Sequence, residues 1–161
     1  MAITTFAAID VGSYELSMNI YELSPKAGIR KLSQVRQILP LGSDTYTDGK
    51  ISYTMIAQIC RTLKDFQKMM KEFGVQACEA CATSALREAK NRAIVLDQIL
   101  VQTGFRVRIL SNSEQRFLYL KAPAMKDREQ FASLVQKGTV IVDIGGGSMQ
   151  LSLYDKGELV T

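Results

Sequence analysis

The stretch that decides the fold is residues 140–154, which read VIVDIGGGSMQLSLY. A short apolar run leads into an aspartate, three glycines and a serine, and an alternating apolar stretch follows. Residues 6–18, FAAIDVGSYELSM, repeat this order much earlier in the chain. Apolar runs of this length bounded by glycine turns are typical of buried strands. We therefore predict two related β-hairpins, and we align them on Ser13 and Ser148.

The two predicted turns have the composition of phosphate-binding loops. Glycines let backbone N–H groups approach an anion closely, and a serine hydroxyl adds a donor. An aspartate at a strand end can hold Mg²⁺, or a similar divalent cation, directly or through water. Two such loops facing each other would form a phosphate clamp with a metal between them, whereas two ordinary β-turns are the alternative. The candidate phosphate-binding residues are Gly12, Ser13, Gly145, Gly146, Gly147 and Ser148, and the candidate metal ligands are Asp10 and Asp143.

Between the hairpins, the hydrophobic pattern alternates between strands and helices. In residues 52–73 apolar side chains recur at three- and four-residue steps, which predicts a helix with Ser52 as its N-cap. Further helices are predicted to be capped at Thr83-Ser84, at Asn91 and at Ser111, the last running to about Lys121. The other predicted strands are 29–39, 75–82 and 105–110, and residues 40–49 are predicted to be a polar loop. Strands joined by helical crossovers make the fold α/β, with a mixed sheet.

Composition excludes several classes of protein. Of the 161 residues, 47% are hydrophobic and 22% are charged, so the sequence is neither disordered nor collagen-like. The absence of histidine excludes a Ser-His-Asp triad and a His-based zinc site within this sequence. A net charge of +4 suits an anionic small molecule, and nucleic acid is not expected as a partner. No apolar run matches a bilayer and no secretion signal is recognisable, so we expect a cytoplasmic protein with no membrane partner.

Cys78 and Cys81 form a C-x-x-C motif, which is found in redox and zinc sites. Residues three apart on a strand point to opposite faces, so one strand cannot easily aim both sulfurs at one metal. No second C-x-x-C motif completes a four-ligand set. The motif is therefore interpreted as part of an ordinary strand.

Four stretches together resemble the exopolyphosphatases and guanosine pentaphosphate phosphohydrolases of the actin-like ATPase and sugar-kinase superfamily. They are AIDVGS at 8–13, ATSALREAKN at 82–91, ILSNSEQ at 109–115 and VDIGGGS at 142–148, in the order and spacing of that family. The resemblance implies a ribonuclease-H-like domain whose loops hold a polyphosphate or a nucleotide phosphate tail. It further implies Mg²⁺ near Asp10 and Asp143, and Arg87 in contact with phosphate. A planar, permanently charged guanidinium suits bidentate phosphate contact.

The sequence departs from the family pattern at the positions that would transfer protons. The family has Ser-Gly-x-Glu-Glu where this chain has Asn112 and Gln115, and only Glu114 of the two glutamates remains. The glutamate after the second loop is replaced by Gln150, and the first loop contains Glu15. An amide can orient a water molecule but cannot accept its proton. The candidate catalytic residues are therefore Gln115, Gln150 and Glu114, with the two glutamines at positions where the resemblance implies glutamate.

Two main functions compete, and a structural fragment is a third possibility. The first is a phosphoanhydride hydrolase that removes terminal phosphate from polyphosphate or guanosine pentaphosphate by metal-assisted water attack. The second is a phosphate- or nucleotide-binding sensor with impaired catalysis. We predict a first domain at 1–125, a linker at 126–137 and the incomplete start of a second domain at 138–161. An uncovered second hairpin would make the chain a homo-oligomer.

Overall fold

The computed structural model describes residues 3–160, and the chain divides into two compact units between Ile109 and Leu110. The division lies earlier than the predicted domain limit at residue 125, and it groups the helix that follows Ser111 with the second unit. No helix within residues 3–160 combines the length and the apolar character needed to cross a membrane. The cytoplasmic location stays a prediction.

The strands in the described part of the first unit are β1 (Thr4–Val11), β2 (Glu15–Ser24), β3 (Gly28–Ile38), β4 (Ala77–Ala82) and β5 (Val107–Ile109). They form a mixed sheet in the order β3-β2-β1-β4-β5. Strands β1 and β2 are antiparallel, as are β2 and β3, whereas β4 runs parallel to both β1 and β5. Parallel neighbours require crossover connections, which the helices supply. The positions of these strands agree with the apolar runs of the sequence.

Four helices complete the first unit: α1 (Leu41–Asp48), α2 (Tyr53–Glu72), α3 (Ser84–Glu88) and α4 (Arg92–Thr103). The apolar stripe of α2, including Ile59 and Leu63, is buried in one core with strand residues such as Ile9 and Met18. Helix α1 corrects the prediction of a polar loop at 40–49. Its composition is polar, but burial of Leu41 and Thr45 stabilises a helix that sequence propensity alone does not favour.

The helix caps of the first unit show where the sequence prediction holds and where it fails. Ser52 caps α2, because its hydroxyl accepts the Met55 N–H at 3.2 Å. Thr83 and Asn91 make no side-chain cap bond, so those two cap predictions are wrong. Asn91 instead binds the backbone of Ile51, accepting its N–H at 3.0 Å and donating to its carbonyl at 2.8 Å. A contact 40 positions away has replaced the local one.

Up to residue 160 the second unit contains two helices and a three-stranded antiparallel sheet whose strands lie side by side in chain order. Ser111 and Glu114 form the predicted capping box, and the helix that follows extends beyond Lys121 to Lys126. The predicted linker at 126–137 is largely helical, because Asp127 caps a further helix through the Gln130 N–H at 2.9 Å. The elements are α5 (Asn112–Lys126), α6 (Arg128–Val135), β6 (Thr139–Ile144), β7 (Met149–Asp155) and β8 (Glu158–Leu159).

One face of the β6–β7 hairpin is apolar and exposed. Cross-strand pairing places its side chains in three neighbouring pairs, and their exposed fractions range from 37% to 76%. A continuous apolar surface of this kind is typical of an interaction surface. The six residues of this apolar hairpin face are Val140, Val142, Ile144, Met149, Leu151 and Leu153.

We expect the 161-residue chain to self-associate through the apolar hairpin face, and Val142→Lys to weaken that association about tenfold or more. Each lysine would have to lose part of its hydration in the contact. The matched control is Ile29→Lys, since Ile29 is 66% exposed on β3 in the other unit. Sedimentation equilibrium over a concentration series measures the dissociation constants. A monomeric wild-type chain at high concentration would contradict the prediction, as would equal weakening by both variants.

Candidate phosphate-binding site

The first glycine loop joins β1 to β2 and is closed by one backbone hydrogen bond. The Gly12 N–H donates to the Glu15 carbonyl at 3.0 Å. A Cβ atom on Gly12 would lie 2.9 Å from that same carbonyl oxygen, closer than side-chain carbons approach backbone. Glycine is therefore required here because the chain approaches itself closely. This confirms the tight turn that the sequence predicted after Val11.

The second glycine loop has the same closure. The Gly145 N–H donates to the Ser148 carbonyl at 2.8 Å. In the first hairpin Val11 pairs with Leu16, and in the second Ile144 pairs with Met149, so each loop spans four residues. Two loops of equal length with the same closing bond support the repeat that the sequence showed.

The strand pairing corrects our alignment of the two loops on their serines. Gly12 and Gly145 are equivalent by their closing bonds, which makes Glu15 the counterpart of Ser148 and places Ser13 at the position of Gly146. The aspartates remain aligned, because each lies two residues before its loop-closing glycine. The serine alignment is wrong by two residues, since it introduced a gap that the backbone does not contain.

Ser13 is held between two helices of the first unit. Its backbone carbonyl accepts the Gly42 N–H at the start of α1, at 2.7 Å. Its hydroxyl lies 2.9 Å from the Ser84 hydroxyl and accepts the Ala85 N–H at 3.0 Å, both at the start of α3. The side chain is only 6% exposed. The hydroxyl of Ser13 therefore orders the protein around the loop, in addition to any contact with a ligand.

Arg87 lies on α3, and so belongs to the same end of the sheet as the first loop. Strand β4 runs parallel to β1, and the Thr83 N–H that follows β4 donates to the Val11 carbonyl at 3.3 Å. The Arg87 side chain is 16% exposed and its Nε lies 3.5 Å from a carboxylate oxygen of Glu88. The carboxyl ends of adjacent parallel strands thus bring a permanent cation and a glycine loop to one edge.

Asp10 lies two residues before the loop-closing Gly12, and its ionisation is perturbed. Loss of hydration, because surrounding protein partly buries the carboxylate, raises the pKa of Asp10 from 3.8 to about 6. Repulsion from the Glu15 carboxylate is the smaller cause of the same rise. The side chain still reaches solvent, so a cation can approach it. Glu15 also lies 3.7 Å from Arg36, an exposed pair that offsets little of its charge. Hard oxygen donors of this kind fit Mg²⁺ better than a softer metal.

Asp143 and Gln150 are cross-strand partners in the second hairpin. They line a cavity of about 160 Å³ with Ile141, Val142 and Ser152 of the hairpin and with Arg116, Tyr119 and Leu120 of α5. The Gln150 Nε2 is buried and makes no hydrogen bond within the described residues. A buried donor without an acceptor is costly. The cavity therefore places the positively charged Arg116 and the unsatisfied N–H of Gln150 beside Asp143, the predicted metal ligand. The sequence analysis did not identify Arg116.

The two residues of the α5 turn differ in their surroundings. Glu114 accepts the Ser111 N–H at 2.8 Å, so its carboxylate completes the capping box. Gln115 is 4% exposed. Gln115 is therefore largely shielded from bulk solvent.

A family model for the Ppx/GppA phosphatase family matches residues 20–161. This chain belongs to that family. The Exopolyphosphatase 1 of Mycobacterium leprae (strain TN) is 30% identical over 146 residues, which are 89% of this chain and 41% of the mycobacterial protein. The chain thus spans about two fifths of the length of the curated relatives that it matches.

Solved structures agree on the fold of this Ppx/GppA family member. The crystal structure of the Aquifex aeolicus family member is 25% identical with a TM-score of 0.75, and covers 99% of this chain and 50% of the other. An exopolyphosphatase from Cytophaga hutchinsonii is 22% identical with a TM-score of 0.79, covering 98% and 49%. The predicted α/β fold with a mixed sheet is confirmed, and solved members of the Ppx/GppA family share it.

In this Ppx/GppA family member, the predicted site residues lie in two half-sites. The first unit holds Asp10, Gly12, Ser13 and Arg87, and the second holds Glu114, Gln115, Asp143, the three glycines 145–147, Ser148 and Gln150. Within residues 3–160 no group of three or more acidic or cysteine side chains is placed to hold a metal. The convergence of the two half-sites on one metal stays a prediction.

The cysteine motif lies on β4, where Cys81 is the register partner of Asp10 on β1. Burial raises the pKa of the Cys78 and Cys81 thiols. At Cys81 the Arg108 guanidinium offsets part of this rise, and the Glu79 carboxylate raises the pKa of both thiols further. A raised pKa leaves less of the reactive thiolate at neutral pH. The chemistry of the motif therefore agrees with its interpretation as ordinary strand.

We expect Asp10→Asn to stabilise the metal-free chain more at pH 7.5 than at pH 4.5. Because the pKa of Asp10 is raised in the folded state, the folded chain binds this proton more tightly than the unfolded chain does. The resulting contribution to the free energy of unfolding is lost as pH rises from 3.8 through about 6. The asparagine side chain does not ionise, so the variant keeps its stability over this pH range. Water around the side chain keeps the expected rise in melting temperature small, about 2 °C.

Melting temperatures of both proteins at the two pH values, with chelator present, measure this effect. The control is Asp97→Asn, since Asp97 lies on α4 away from the loop. An equal change in melting temperature at both pH values would contradict the prediction.

Proposed function

We propose that this chain forms phosphate-binding half-sites of an exopolyphosphatase-type phosphoanhydride hydrolase. The observation that carries the proposal is the pair of four-residue glycine loops with the same closing bond, each preceded by an aspartate. Membership of the Ppx/GppA phosphatase family and the mycobacterial relative support polyphosphate as the substrate. Guanosine pentaphosphate is the alternative substrate of the same chemistry.

In this proposal the loops and Arg87 bind the phosphate chain. Backbone N–H groups of the second glycine loop and the guanidinium of Arg87 bind equatorial oxygens of the terminal phosphate. Asp10 and Asp143 would hold a Mg²⁺ ion, which neutralises phosphate charge when it is bound. A water attacks the terminal phosphorus, the bridging P–O bond breaks, and orthophosphate and a chain shorter by one phosphate leave.

The second candidate, a phosphate-binding sensor, is favoured by the state of the α5 turn. Gln115 is buried and cannot accept a proton, and the carboxylate of Glu114 is occupied by the capping box. The unsatisfied Gln150 Nε2 and Arg116 beside it suit an oxyanion better than a proton transfer. In this second candidate Gln150 and Arg116 bind the oxyanion, whereas neither Gln115 nor Glu114 serves as a general base for the attacking water.

Tripolyphosphate with Mg²⁺ distinguishes the two candidates. We measure binding to the wild-type chain by calorimetry and phosphate release by a colorimetric assay, and we repeat both with guanosine pentaphosphate. Binding with steady release supports the hydrolase, whereas binding without release supports the sensor. No binding of either ligand would overturn the proposed function.

A further inference from the structure

The start of α3 lacks the local cap that its sequence offers. Thr83 precedes the helix but makes no side-chain cap bond. The Ala85 N–H instead donates to the Ser13 hydroxyl, 72 positions away, and the Ser84 hydroxyl lies 2.9 Å from the same oxygen. Ser13, Ser84 and Ala85 are 6%, 4% and 1% exposed. The first glycine loop therefore provides the cap of the helix that carries Arg87.

Other contacts hold this short helix along its length. The Thr45 hydroxyl of α1 donates to the Ala85 carbonyl at 3.1 Å, and the Arg92 guanidinium donates to the Arg87 carbonyl at 2.9 Å. Ser13 itself is fixed to α1 through the Gly42 N–H at 2.7 Å. Loop, α1 and α3 are thus joined by buried hydrogen bonds, and Ser84 is the member that lies directly between loop and helix.

We propose that Ser84 is a positioning residue, which with Ser13 fixes Arg87 relative to the first phosphate loop. The inference rests on the proposed function, since it concerns how Arg87 and the loop bind one phosphate chain. A single serine hydroxyl has one donor and two acceptor sites. The Ser13 oxygen accepts the Ala85 N–H, and either serine can be the donor in the bond between the two hydroxyls, so in both cases the Ser84 hydroxyl orients that of Ser13. Without that partner the Ser13 hydroxyl can rotate and α3 is less restrained.

Two measurements on the 161-residue chain test the inference. Amide hydrogen exchange without ligand should be faster across residues 84–88 in Ser84→Ala than in wild type. Tripolyphosphate with Mg²⁺ should bind Ser84→Ala about three- to tenfold more weakly, as expected for one net hydrogen bond. Ser84→Thr keeps the hydroxyl and should recover most of the affinity.

A mutant cycle separates positioning from a general loss of stability. Thr103→Val removes another buried hydroxyl, which bonds the Ile99 carbonyl at 2.6 Å far from the loop in sequence, so it should lower stability without lowering affinity. In an Arg87→Gln background, Ser84→Ala should cost little further affinity, because the group that it positions is already gone.

Unchanged exchange at residues 84–88 in Ser84→Ala would overturn the inference whether or not the ligand binds. Equal affinity losses from Ser84→Ala in the wild-type and Arg87→Gln backgrounds would also overturn it, even though exchange had changed. Failure of the wild-type chain to bind tripolyphosphate would instead overturn the proposed function, while faster exchange would still show that Ser84 restrains α3.

Discussion

Arg87→Gln is expected to weaken binding of tripolyphosphate about a hundredfold. The change removes a permanent charge and the fork of donors that suits two phosphate oxygens. Hydrogen bonds to charged groups are each worth about 1.5–3 kcal/mol, so the loss of two accounts for an effect of this size. Arg87 lies on a helix held by buried bonds to the loop, which keeps the side chain at the edge where the loop lies. Calorimetry with Mg²⁺ at fixed ionic strength measures the affinity.

The controls for this variant separate charge from geometry. Arg87→Lys keeps the charge but not the planar fork, so its affinity should lie between wild type and Arg87→Gln. Arg61→Gln changes the net charge equally at an exposed position on α2 and should have little effect. If Arg61→Gln and Arg87→Gln weakened binding to the same degree, the effect would be long-range electrostatics and Arg87 would not contact phosphate.

Gln115→Glu is expected to raise the rate of phosphate release about tenfold or more. The prediction applies to the complete natural protein. General-base assistance is worth about 10² to 10⁴ in rate, and we take the low end because positioning dominates phosphoryl transfer. Gln115 is 4% exposed, so a carboxylate at this position would have a raised pKa. A base whose pKa lies closer to neutral pH accepts a proton more effectively.

Initial rates of phosphate release from tripolyphosphate, for wild type and each variant, measure this effect. Gln150→Glu should give a smaller increase, and Gln130→Glu is the matched control because Gln130 is exposed on α6. A wild-type rate that is already high and unaffected by Gln115→Glu would show that another group activates the water. The site would then not be impaired.

Sequence periodicity predicted the elements whose stability is local. The apolar stripe of α2, its Ser52 cap and the capping box of Ser111 and Glu114 all involve residues within one or two turns of each other. Helix α1 was missed because its stability depends on burial of Leu41 and on a bond from Gly42 to Ser13, which no local pattern records. The prediction of the α3 cap was wrong for the same reason, since the hydroxyl that accepts the Ala85 N–H belongs to Ser13 in the first loop.

The candidate site could be predicted in its residue types but not in its pairings. Glycine and aspartate at strand ends are visible in the sequence, whereas the equivalence of Glu15 and Ser148 depends on strand register. Arg116 was missed because a single arginine on a helix has no motif of its own. Its position directly after Gln115 was the only available sign.

The closing bond of each loop has a consequence for how this site can be tuned. The acceptor is a backbone carbonyl, belonging to Glu15 in one loop and Ser148 in the other, so the turn does not depend on the side chain at that position. An anionic and a neutral residue already occupy equivalent places within one chain. Local charge at the loop is therefore a separate variable from backbone shape, and selection can change the charge at position 15 without rebuilding the turn.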